Sequence, residues 1–200
     1  MQFFNIPKKV VNYIRKSIYI KPFKKCARSS GFGRDGLGKG CFISGKENIG
    51  IGENTWLDEG CEIIAYNSHL NQNLYANLCI GDNVRVHKRC RITCAGEIVI
   101  EDDVLLAPEV FITDHNHGMN PEYTGGYSPQ PLQVKSVRIE KGVWLGQRVT
   151  ILPGVTVGKH SIIGANSVVT RSVPEYCIAV GNPAKVIKRW NFETKKWEKV

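Results

Sequence analysis

The chain has 200 residues, 42% of them hydrophobic and 22% charged, which predicts one globular domain with a sizeable core. The formal net charge of +9 is local: residues 1–34 contain nine Lys and Arg and no acid, whereas the remainder contains eighteen residues of each sign. A basic excess confined to one terminal arm argues against a nucleic-acid-binding face spread over the fold.

The cysteines exclude further classes of protein. There are seven, an odd number, and no CxxC pair, which argues against a disulfide scaffold and a structural zinc site and favours a reducing cytoplasm. The N-terminus lacks an uninterrupted apolar segment with a small-residue cleavage site, and no run of about 18 apolar residues occurs. We therefore expect a cytoplasmic protein that is neither exported by that route nor membrane-spanning.

The basic arm, residues 1–34, contains a candidate amphipathic helix, because apolar residues share one helical face and lysines and arginines cover the rest. The apolar residues are Ile6, Val10, Val11, Ile14 and Ile18. This helix would cap the open end of the domain that follows, or would contact the inner membrane face or an anionic glycan. We favour the cap, and a merely solvated arm is the remaining interpretation.

Beyond the arm, an aliphatic residue recurs at every sixth position. The longest series is Ile139, Leu145, Ile151, Val157, Ile163 and Val169. The same frame occurs earlier, at Ile51, Leu57, Ile63, Ile80, Val86, Ile92, Ile100, Leu106 and Ile112. A period of six fits neither an amphipathic helix, with spacings of three and four, nor alternating strands.

A small or β-branched side chain follows four residues after each of these aliphatic residues in the well-formed hexads. The set is Thr55, Cys61, Val84, Cys90, Val104, Val110, Val143, Val149, Val155, Ser161, Ser167 and Val173. Two inward positions in six predict a triangular solenoid in which each hexad is a short strand plus a turn, and three hexads form one coil. Cys61 and Cys90 would then be small core residues rather than catalytic or metal-binding thiols.

Glycines recur in this frame at the expected turns. They are Gly52, Gly81, Gly146, Gly158 and Gly164. Three segments break the frame: residues 65–79, a short slip at 95–98, and residues 113–138. Insertions leave a solenoid at its corners, and long loops in compact domains are often functional. We expect 113–138, which carries two of the five histidines, to be an extended active-site loop.

The solenoid domain is predicted to span residues 35–190, with loop 113–138 excluded from the coils. Residues 184–190 are predicted as a strand or short helix, and residues 191–200 as a charged tail.

The segment from Gly142 to Trp190, GVWLGQRVTILPGVTVGKHSIIGANSVVTRSVPEYCIAVGNPAKVIKRW, resembles the C-terminal signature of hexapeptide-repeat acetyltransferases. The TDHNH loop and the GNPAKVIK ending are most similar to the galactoside and maltose O-acetyltransferase branch, with its relatives that acetylate capsule, O-antigen or other surface polysaccharides. The resemblance covers about residues 45–190. It implies an all-β, left-handed parallel β-helix, a homotrimer with active sites between subunits, and acetyl-CoA as co-substrate with no metal.

His115 matches the looped-out histidine that is the catalytic base of this family. The chemistry is reasonable, because a sugar hydroxyl is a poor nucleophile until a base accepts its proton as it attacks the thioester carbonyl. The donor that would stabilise the oxyanion is not identifiable from the sequence. No Ser or Cys stands in a base-paired nucleophile motif, so we expect direct transfer in a ternary complex, with Cys94 and Cys177 as weak alternatives.

Three residues are candidates for orienting His115 or binding the acceptor. Asp114 would bond the imidazole or serve as a turn residue, and His117 would orient His115, touch the acceptor or be solvated. His87 corresponds approximately to an Asn that helps to bind the acceptor sugar in the galactoside branch. This difference, and the longer loop after His117, leave the acceptor open.

The resemblance also implies the residues that would bind CoA. Trp144 matches a tryptophan beside the transfer site, or fills a subunit interface. Gly146 and Ala165 match positions where a small side chain lets backbone amides approach pantetheine. Four further residues match positions near the C-terminus that contact CoA in this family, where cations would bind its phosphates. They are Thr170, Arg171, Lys185 and Lys188.

O-acetylation of a sugar hydroxyl, in a surface polysaccharide or its precursor, is the preferred function. The alternatives are N-acetylation of an amino sugar and acetylation of serine. Another alternative is a γ-class carbonic anhydrase, which shares the solenoid and binds zinc through three histidines. His87, His115 and His117 suggest this comparison, but the spacing of the zinc ligands in that family differs. A non-enzymatic scaffold would leave His115 and its loop unexplained.

Overall fold

The hexads close into a triangular prism with a parallel β-sheet on each side. The computed structural model describes residues 32–200, so the candidate helix and the rest of the arm up to residue 31 lie outside the described residues. Along the chain, successive strands join sheet A, then sheet B, then sheet C, and each coil adds one strand to each sheet. The expected fold class, a left-handed parallel β-helix, is confirmed.

Sheet A has nine strands, the most of the three. In spatial order they are β1 (Phe32–Leu37), β4 (Thr55–Leu57), β9 (Arg85–Val86), β12 (Leu105–Leu106), β17 (Trp144–Leu145), β20 (Ile162–Ile163), β22 (Cys177–Gly181), β23 (Ala184–Asn191) and β24 (Lys196–Lys199).

Sheets B and C complete the prism. Sheet B consists of β2 (Phe42–Ser44), β5 (Glu62–Ala65), β10 (Arg91–Cys94), β13 (Phe111–Thr113), β18 (Thr150–Ile151) and β21 (Val168–Val169). Sheet C consists of β3 (Ile49–Ile51), β8 (Asn77–Ile80), β11 (Glu97–Ile100), β16 (Val137–Ile139) and β19 (Thr156–Val157). Two hairpins stand outside the prism: β6 (Ser68–His69) with β7 (Gln72–Asn73), and β14 (His115–Asn116) with β15 (Gln133–Val134).

Helix is nearly absent from the part of the chain that is described. Within residues 32–200 the only helical segment is the 3₁₀ turn Lys46–Asn48. No helix in this range is long and apolar enough to cross a membrane.

The predicted inward positions form one continuous core. Every aliphatic residue of the hexad series is at most 1% exposed, and the small residues four positions later are at most 5% exposed. The polar members bond to the next coil: Thr55 Oγ1 donates to Gly81 O at 2.7 Å, Ser161 Oγ donates to Pro174 O at 2.7 Å, and Ser167 Oγ accepts from Gly181 N at 3.0 Å. The interior therefore holds polar groups without leaving them unsatisfied.

The five hexad glycines stand at the turns, but not because of their backbone freedom. None of them has a positive φ; that conformation falls two residues later, for example at Arg148, His160 and Asn166. Glycine is required because the next coil is too close: an added Cβ would lie 2.3 Å from Glu175 N at Gly158 and 2.7 Å from Ala165 N at Gly146. The turns thus need a missing side chain at one position and a left-handed residue at another.

The last strands reverse the chain over the end of the prism. β22 continues sheet A parallel to β20, and β23 then runs antiparallel to β22, with Ala184 and Val186 packed against the core. Residues 184–190, for which the sequence allowed a strand or a short helix, form a strand. Within residues 191–200, expected as a tail, Lys196–Lys199 forms β24 and pairs antiparallel with β23.

All three breaks in the hexad frame occur at the same corner of the prism, between sheet B and sheet C. We call this line of corners the B/C edge; it includes residues 66–76, 95–96, 114–136 and 170–172. The A/B edge is the corresponding line between sheets A and B and includes residues 87–90, 146–149 and 164–167. The insertions therefore share one side of the molecule.

Gly158→Ala should destabilise the solenoid by about 3 kcal/mol, the upper end of the usual overpacking cost, because the new methyl group meets the backbone of the following coil. The free energy of unfolding from urea denaturation, at equal protein concentration, measures this. The matched control is Gly40→Ala: Gly40 has φ +68° and no neighbour within 4 Å of an added Cβ, so only the conformational cost of about 1 kcal/mol is expected. Equal effects of the two substitutions would contradict the close coil contact.

Candidate active site at the B/C edge

The centre of the site is a pair of adjacent residues, Asp114 and His115, directly after β13. His115 Nδ1 lies 2.9 Å from Asp114 Oδ1. A carboxylate only accepts hydrogen bonds, so Nδ1 carries the proton in this contact and Nε2 is left with its lone pair. The imidazole is largely covered, with its side chain 15% exposed, whereas the Asp114 side chain is fully buried.

Asp114 is held in place from three sides. Besides the imidazole, it accepts hydrogen bonds from Ala95 N at 2.8 Å and from Gly96 N at 2.7 Å, and the Cys94 thiol lies 3.6 Å from Oδ2. Burial by itself raises the pKa of Asp114, but the His115 ring N–H and the two backbone amides outweigh it, so the pKa lies below its usual value. Asp114 is therefore a carboxylate at neutral pH.

The frame slip at residues 95–98 thus has a purpose in the structure. It turns two consecutive backbone N–H groups towards the carboxylate of the next coil instead of into a regular strand. Residue 96 is a glycine because this segment has no room for a side chain: an added Cβ would lie 2.4 Å from Val134 Cγ1.

Two further residues contact the imidazole. The Tyr66 ring stands edge-on to it, with centroids 5.4 Å apart and planes at 88°. Thr113 Oγ1 lies 3.4 Å from His115 Nδ1 and accepts a long hydrogen bond from His115 N at 3.4 Å. These contacts limit rotation of the ring.

The long loop begins as a β-hairpin stem rather than as free chain. His115 pairs with Val134 and Asn116 with Gln133, and Lys135 N donates to Asp114 O at 2.8 Å. Farther out, the buried amide of Gln130 closes the loop, since it accepts from Asn120 N at 2.9 Å and donates to Asn120 O at 2.8 Å and Gly126 O at 3.0 Å. His115 thus stands at the base of an ordered arm, residues 114–136.

The hairpin formed by the other insertion, residues 66–76, packs against this arm. The Gln72 side chain accepts from Leu132 N at 2.7 Å and donates to Leu132 O at 3.2 Å, as a neighbouring strand would. Beneath this contact, Leu74, Ala95 and Leu132 form a small second core. The two insertions are therefore one structural layer.

His117 lies in this layer but not beside His115's ring. It is exposed, and its ring contacts that of His69 edge-to-face at 5.2 Å, while His69 Nε2 is 3.2 Å from Ser128 O. His87 is not in the layer at all, because it follows β9 on the A/B edge, where its Nδ1 is 4.0 Å from Asp58 Oδ2. Within one subunit the three histidines do not converge.

Three of the expected CoA-contacting residues lie on the outer face of sheet A. Successive pairings across four strands form one row on this face: Trp144 with Ile162, Ile162 with Ile178, and Ile178 with Lys188. Trp144 is 47% exposed. Lys185 pairs with Val180, two residues from Ile178. In a regular strand, residues three apart point to opposite faces, but the register shift between Ile178 and Ala179 makes Ile187 an extra residue. Lys185 and Lys188 consequently share the outer face.

The remaining expected CoA-contacting residues lie on the two edges. Gly146, which is buried, and Ala165, which is exposed, stand on the A/B edge, and the contact of Gly146 with the next coil gives it a packing reason. Thr170 and Arg171 are exposed on the B/C edge, two coils beyond His115. In a triangular cross-section the B/C edge is opposite sheet A, so one subunit cannot bring Trp144 and His115 together.

Several residues of the site were missed in the sequence. Tyr66, Thr113, Ala95, Gly96 and Gln72 all contact the dyad or its arm. The slip at 95–98 signalled part of this, since a break in the frame marks a corner with a different role; the Gln72 contact has no local signal.

The cysteines at the candidate positions are internal. Cys61 and Cys90 are fully buried at the A/B edge, as predicted. Cys94 and Cys177 are also fully buried, and burial raises the pKa of the Cys94 thiol, which disfavours the thiolate form. Within residues 32–200 no three His, Cys, Asp or Glu side chains are grouped as metal ligands.

Comparison with known proteins gives the same architecture. Residues 136–171 match the family described as bacterial transferase hexapeptide (six repeats). Among solved structures, a galactoside acetyltransferase in complex with coenzyme A is 25% identical with a TM-score of 0.61, over 98% of this chain and 81% of that one. A mutant of AntD, an N-acyltransferase from Bacillus cereus, superposes with a TM-score of 0.69 over 92% and 91% of the two chains; at 22% identity this shows the fold alone.

Two relatives in Escherichia coli (strain K12) are closer in sequence. The galactoside O-acetyltransferase is 33% identical over 150 residues, which is 74% of this chain and 66% of the relative. The protein named "Putative lipopolysaccharide biosynthesis O-acetyl transferase WbbJ" is 38% identical over 165 residues, which is 80% of this chain and 81% of the relative. With that identity over most of both chains, and with the coils and hexads described above, this chain belongs to the hexapeptide-repeat acetyltransferases.

Proposed function

We propose that the protein transfers an acetyl group from acetyl-CoA to a hydroxyl of a saccharide, with His115 as general base. The observation that carries this proposal is the Asp114–His115 dyad, in which a buried carboxylate holds the proton on Nδ1 and leaves Nε2 to accept another. Acetyl-CoA, when bound, supplies the activated acetyl thioester. His115 Nε2 removes the proton of the acceptor hydroxyl as its oxygen attacks the thioester carbonyl. The C–S bond then breaks, the acetyl group stays on the acceptor oxygen, and CoA leaves as the thiolate or takes the proton back from the imidazolium.

Asp114 serves this step by fixing the tautomer and opposing the positive charge that the imidazole gains on accepting the proton. Its own negative charge is stabilised by Ala95 N and Gly96 N, so it does not need to take the proton itself. Direct transfer also fits the burial of Cys94 and Cys177, which could not reach a substrate without a change of the core. His117, which is exposed on the arm and contacts the ring of His69, would meet the acceptor rather than the ring of His115.

The residues of sheet A fit the co-substrate. Trp144, Ile162 and Ile178 provide an apolar strip for a pantetheine arm, and Lys188 and Lys185 stand at its end for phosphates. Strands of a sheet lie about 4.8 Å apart, so Lys188 is roughly 14 Å from Trp144 along the row. Ala165, which is exposed, would line the neighbouring A/B edge, whereas the N–H of the buried Gly146 donates to Ile163 O at 2.8 Å and holds the coils together.

Because this strip and His115 lie on opposite sides of a subunit, we propose a homotrimer with the site between subunits. His115, Thr170 and Arg171 would come from the B/C edge of one subunit, and Trp144, Lys185, Lys188 and His87 from the neighbour. A cyclic, head-to-tail arrangement of three prisms places each B/C edge against the next sheet A. His87 would then reach the acceptor across the interface.

The names of two relatives support the proposed acceptor class. One relative is named for lipopolysaccharide biosynthesis and another for galactoside, and we propose a surface polysaccharide or its precursor as acceptor. The enzyme would act in the cytoplasm, where acetyl-CoA and such precursors are available. No nucleic-acid partner is proposed.

His115→Ala should reduce acceptor-dependent CoA release by about 10²–10⁴-fold, because the base is lost. Thiol release is followed with acetyl-CoA and a panel of mono- and oligosaccharides. His160→Asn is the control, since His160 is an exposed turn residue at φ +55°, a conformation that Asn accepts. Full activity of His115→Ala would remove His115 from the mechanism, and no release with any acceptor would count against the function.

Asp114→Asn should lower kcat by about 10²–10⁴-fold, because an amide can donate to Nδ1 and move the ring proton to Nε2.

The same variant tests whether Asp114 is ionised. A lowered pKa means that the carboxylate stabilises the fold above its unfolded pKa and loses this contribution as the pH falls through the folded pKa. The difference in unfolding free energy between wild type and Asp114→Asn should therefore be constant near neutral pH and shrink only in acid. A difference that shrinks between pH 8 and 6 would contradict an ionised Asp114.

Mixed oligomers test whether the site spans two subunits. His115→Ala and Lys185→Glu/Lys188→Glu should each be inactive at low acetyl-CoA, whereas subunits mixed in equal amounts by denaturation and refolding should recover about a quarter of the activity, because one neighbouring pair in four combines the two intact surfaces. The control is a mixture of His115→Ala with Asp114→Asn, whose defects lie on the same surface and cannot complement. Recovery in neither mixture would place the site within one subunit.

A further inference from the structure

The two insertions, residues 66–76 and 114–136, form a surface that we call the insertion layer, and its composition differs from that of the rest of the chain. Outside the dyad and Lys135, the layer has a single Asp, Glu, Lys or Arg, which is Glu122. Globular domains average about 25% charged residues, and 22% of this chain is charged. Residues 66–76 and 116–134 instead contain eight Asn and Gln. The surface beside His115 is therefore polar but nearly neutral.

The insertion layer also exposes large apolar side chains. It carries half of those that are exposed within residues 32–200, namely Leu70, Tyr75, Met119, Tyr123, Tyr127 and Val134. Among the described residues, none of the three tyrosine rings contacts another aromatic ring. A single exposed apolar side chain needs no explanation, but a concentration of them in one layer marks an interaction surface.

The surface around Tyr127 is held in a fixed shape. Gln130 N donates to Tyr127 O at 3.2 Å, and the buried Gln130 amide ties this turn to the rest of the arm. Next to Tyr127, Ser128 O lies 3.2 Å from His69 Nε2. A carbonyl only accepts, so Nε2 carries the proton in this contact and Nδ1 keeps a lone pair for another donor. A surface that is ordered in advance loses less entropy on binding.

Two imidazoles connect this surface with the dyad. His117 follows His115 by two residues, which is about 7 Å along an extended chain. The His117 ring contacts that of His69, with centroids 5.2 Å apart and planes at 68°. A ligand that continues from His115 over these two rings would reach the turn at Tyr127.

A ligand without phosphates suits a surface of this composition. Sugar rings have apolar C–H faces that pack on aromatic rings, and hydroxyls that bond amides and imidazoles. A nucleotide-activated sugar, an anionic lipid or a nucleic acid would need Lys or Arg for its phosphates. Residues 66–76 and 116–134 contain neither.

We propose that the insertion layer binds a neutral oligosaccharide chain, in which the sugars beyond the one at His115 lie against Tyr127 and bond His69 and His117. The inference rests on the proposed function and narrows its acceptor. The substrate would be an assembled glycan of several residues rather than a nucleotide-activated monosaccharide.

The test compares acceptors of different length. KM is measured by CoA release for galacto- and malto-oligosaccharides from mono- to tetrasaccharide, with UDP-galactose as the nucleotide-activated monosaccharide. In the wild type, KM should fall about tenfold from mono- to tetrasaccharide, because the added sugars gain contacts that the reacting sugar lacks.

Tyr127→Ser should raise the KM for the tetrasaccharide about tenfold and bring it close to that of the monosaccharide, because the aromatic contact is lost. Tyr127→Phe keeps the ring and should keep the wild-type KM. The matched control is Phe42→Ser, which removes an equally exposed ring from β2, outside the layer. This control should show the wild-type dependence on acceptor length.

Three results would overturn the glycan surface while leaving transfer by His115 intact. They are the same KM for every length in the wild type, a lower KM for UDP-galactose than for any oligosaccharide, and an equal change for mono- and tetrasaccharide in Tyr127→Ser. Size-exclusion chromatography adds a fourth: if Tyr127→Ser no longer elutes as the wild-type oligomer, the tyrosine covers a neighbouring subunit instead of a glycan. No CoA release with any sugar would overturn the proposed function as well.

Discussion

The stacking of coils at a fixed strand spacing governs almost everything else in this molecule. Each coil presents one aliphatic residue per side to an interior that is closed on all three sides, and successive coils repeat it in register, as Ile63, Ile92 and Ile112 do on sheet B. Extra residues cannot enter such an interior, so they leave at a corner. Polar and charged chemistry is consequently confined to edges and outer faces.

In the proposed assembly, the same geometry gives one chain half of an active site. The B/C edge holds the His115 imidazole, hydrogen-bonded to the buried Asp114 carboxylate, and the outer face of sheet A holds an apolar strip with cations at its end. These surfaces point away from each other. A second copy supplies what the first lacks, so in the proposed assembly catalysis and oligomerisation are one requirement, and a monomer would have intact surfaces but no complete site.

The hexad period predicted the fold and most core residues because a single geometric repeat decides them. It also located the three breaks in the frame, and the TDHNH motif pointed to His115 by resemblance. The frame also placed glycines at the turns, and the structure supplies the reason: close approach of the next coil, rather than φ, excludes a side chain at Gly146 and Gly158. Contacts between distant segments carry no periodic signal, and Gln72 with Leu132 and Tyr66 with His115 were therefore not foreseen. The β-bulge that puts Lys185 and Lys188 on the same face likewise has no recognisable signal in the sequence.

The contact between the two insertions has a consequence for how acceptor preference can change in this branch. The Gln72 side chain hydrogen-bonds both the backbone N–H and the backbone C=O of Leu132. Leu132 lies beside β15 of the arm, and β15 pairs with His115. A longer or shorter arm would lose its contacts with residues 66–76 unless that hairpin changed in length as well. The two segments are therefore structurally coupled. A chimera that exchanges only the arm between relatives would misplace His115, whereas under the proposed function one that exchanges both would carry the donor's acceptor range onto an unchanged set of coils.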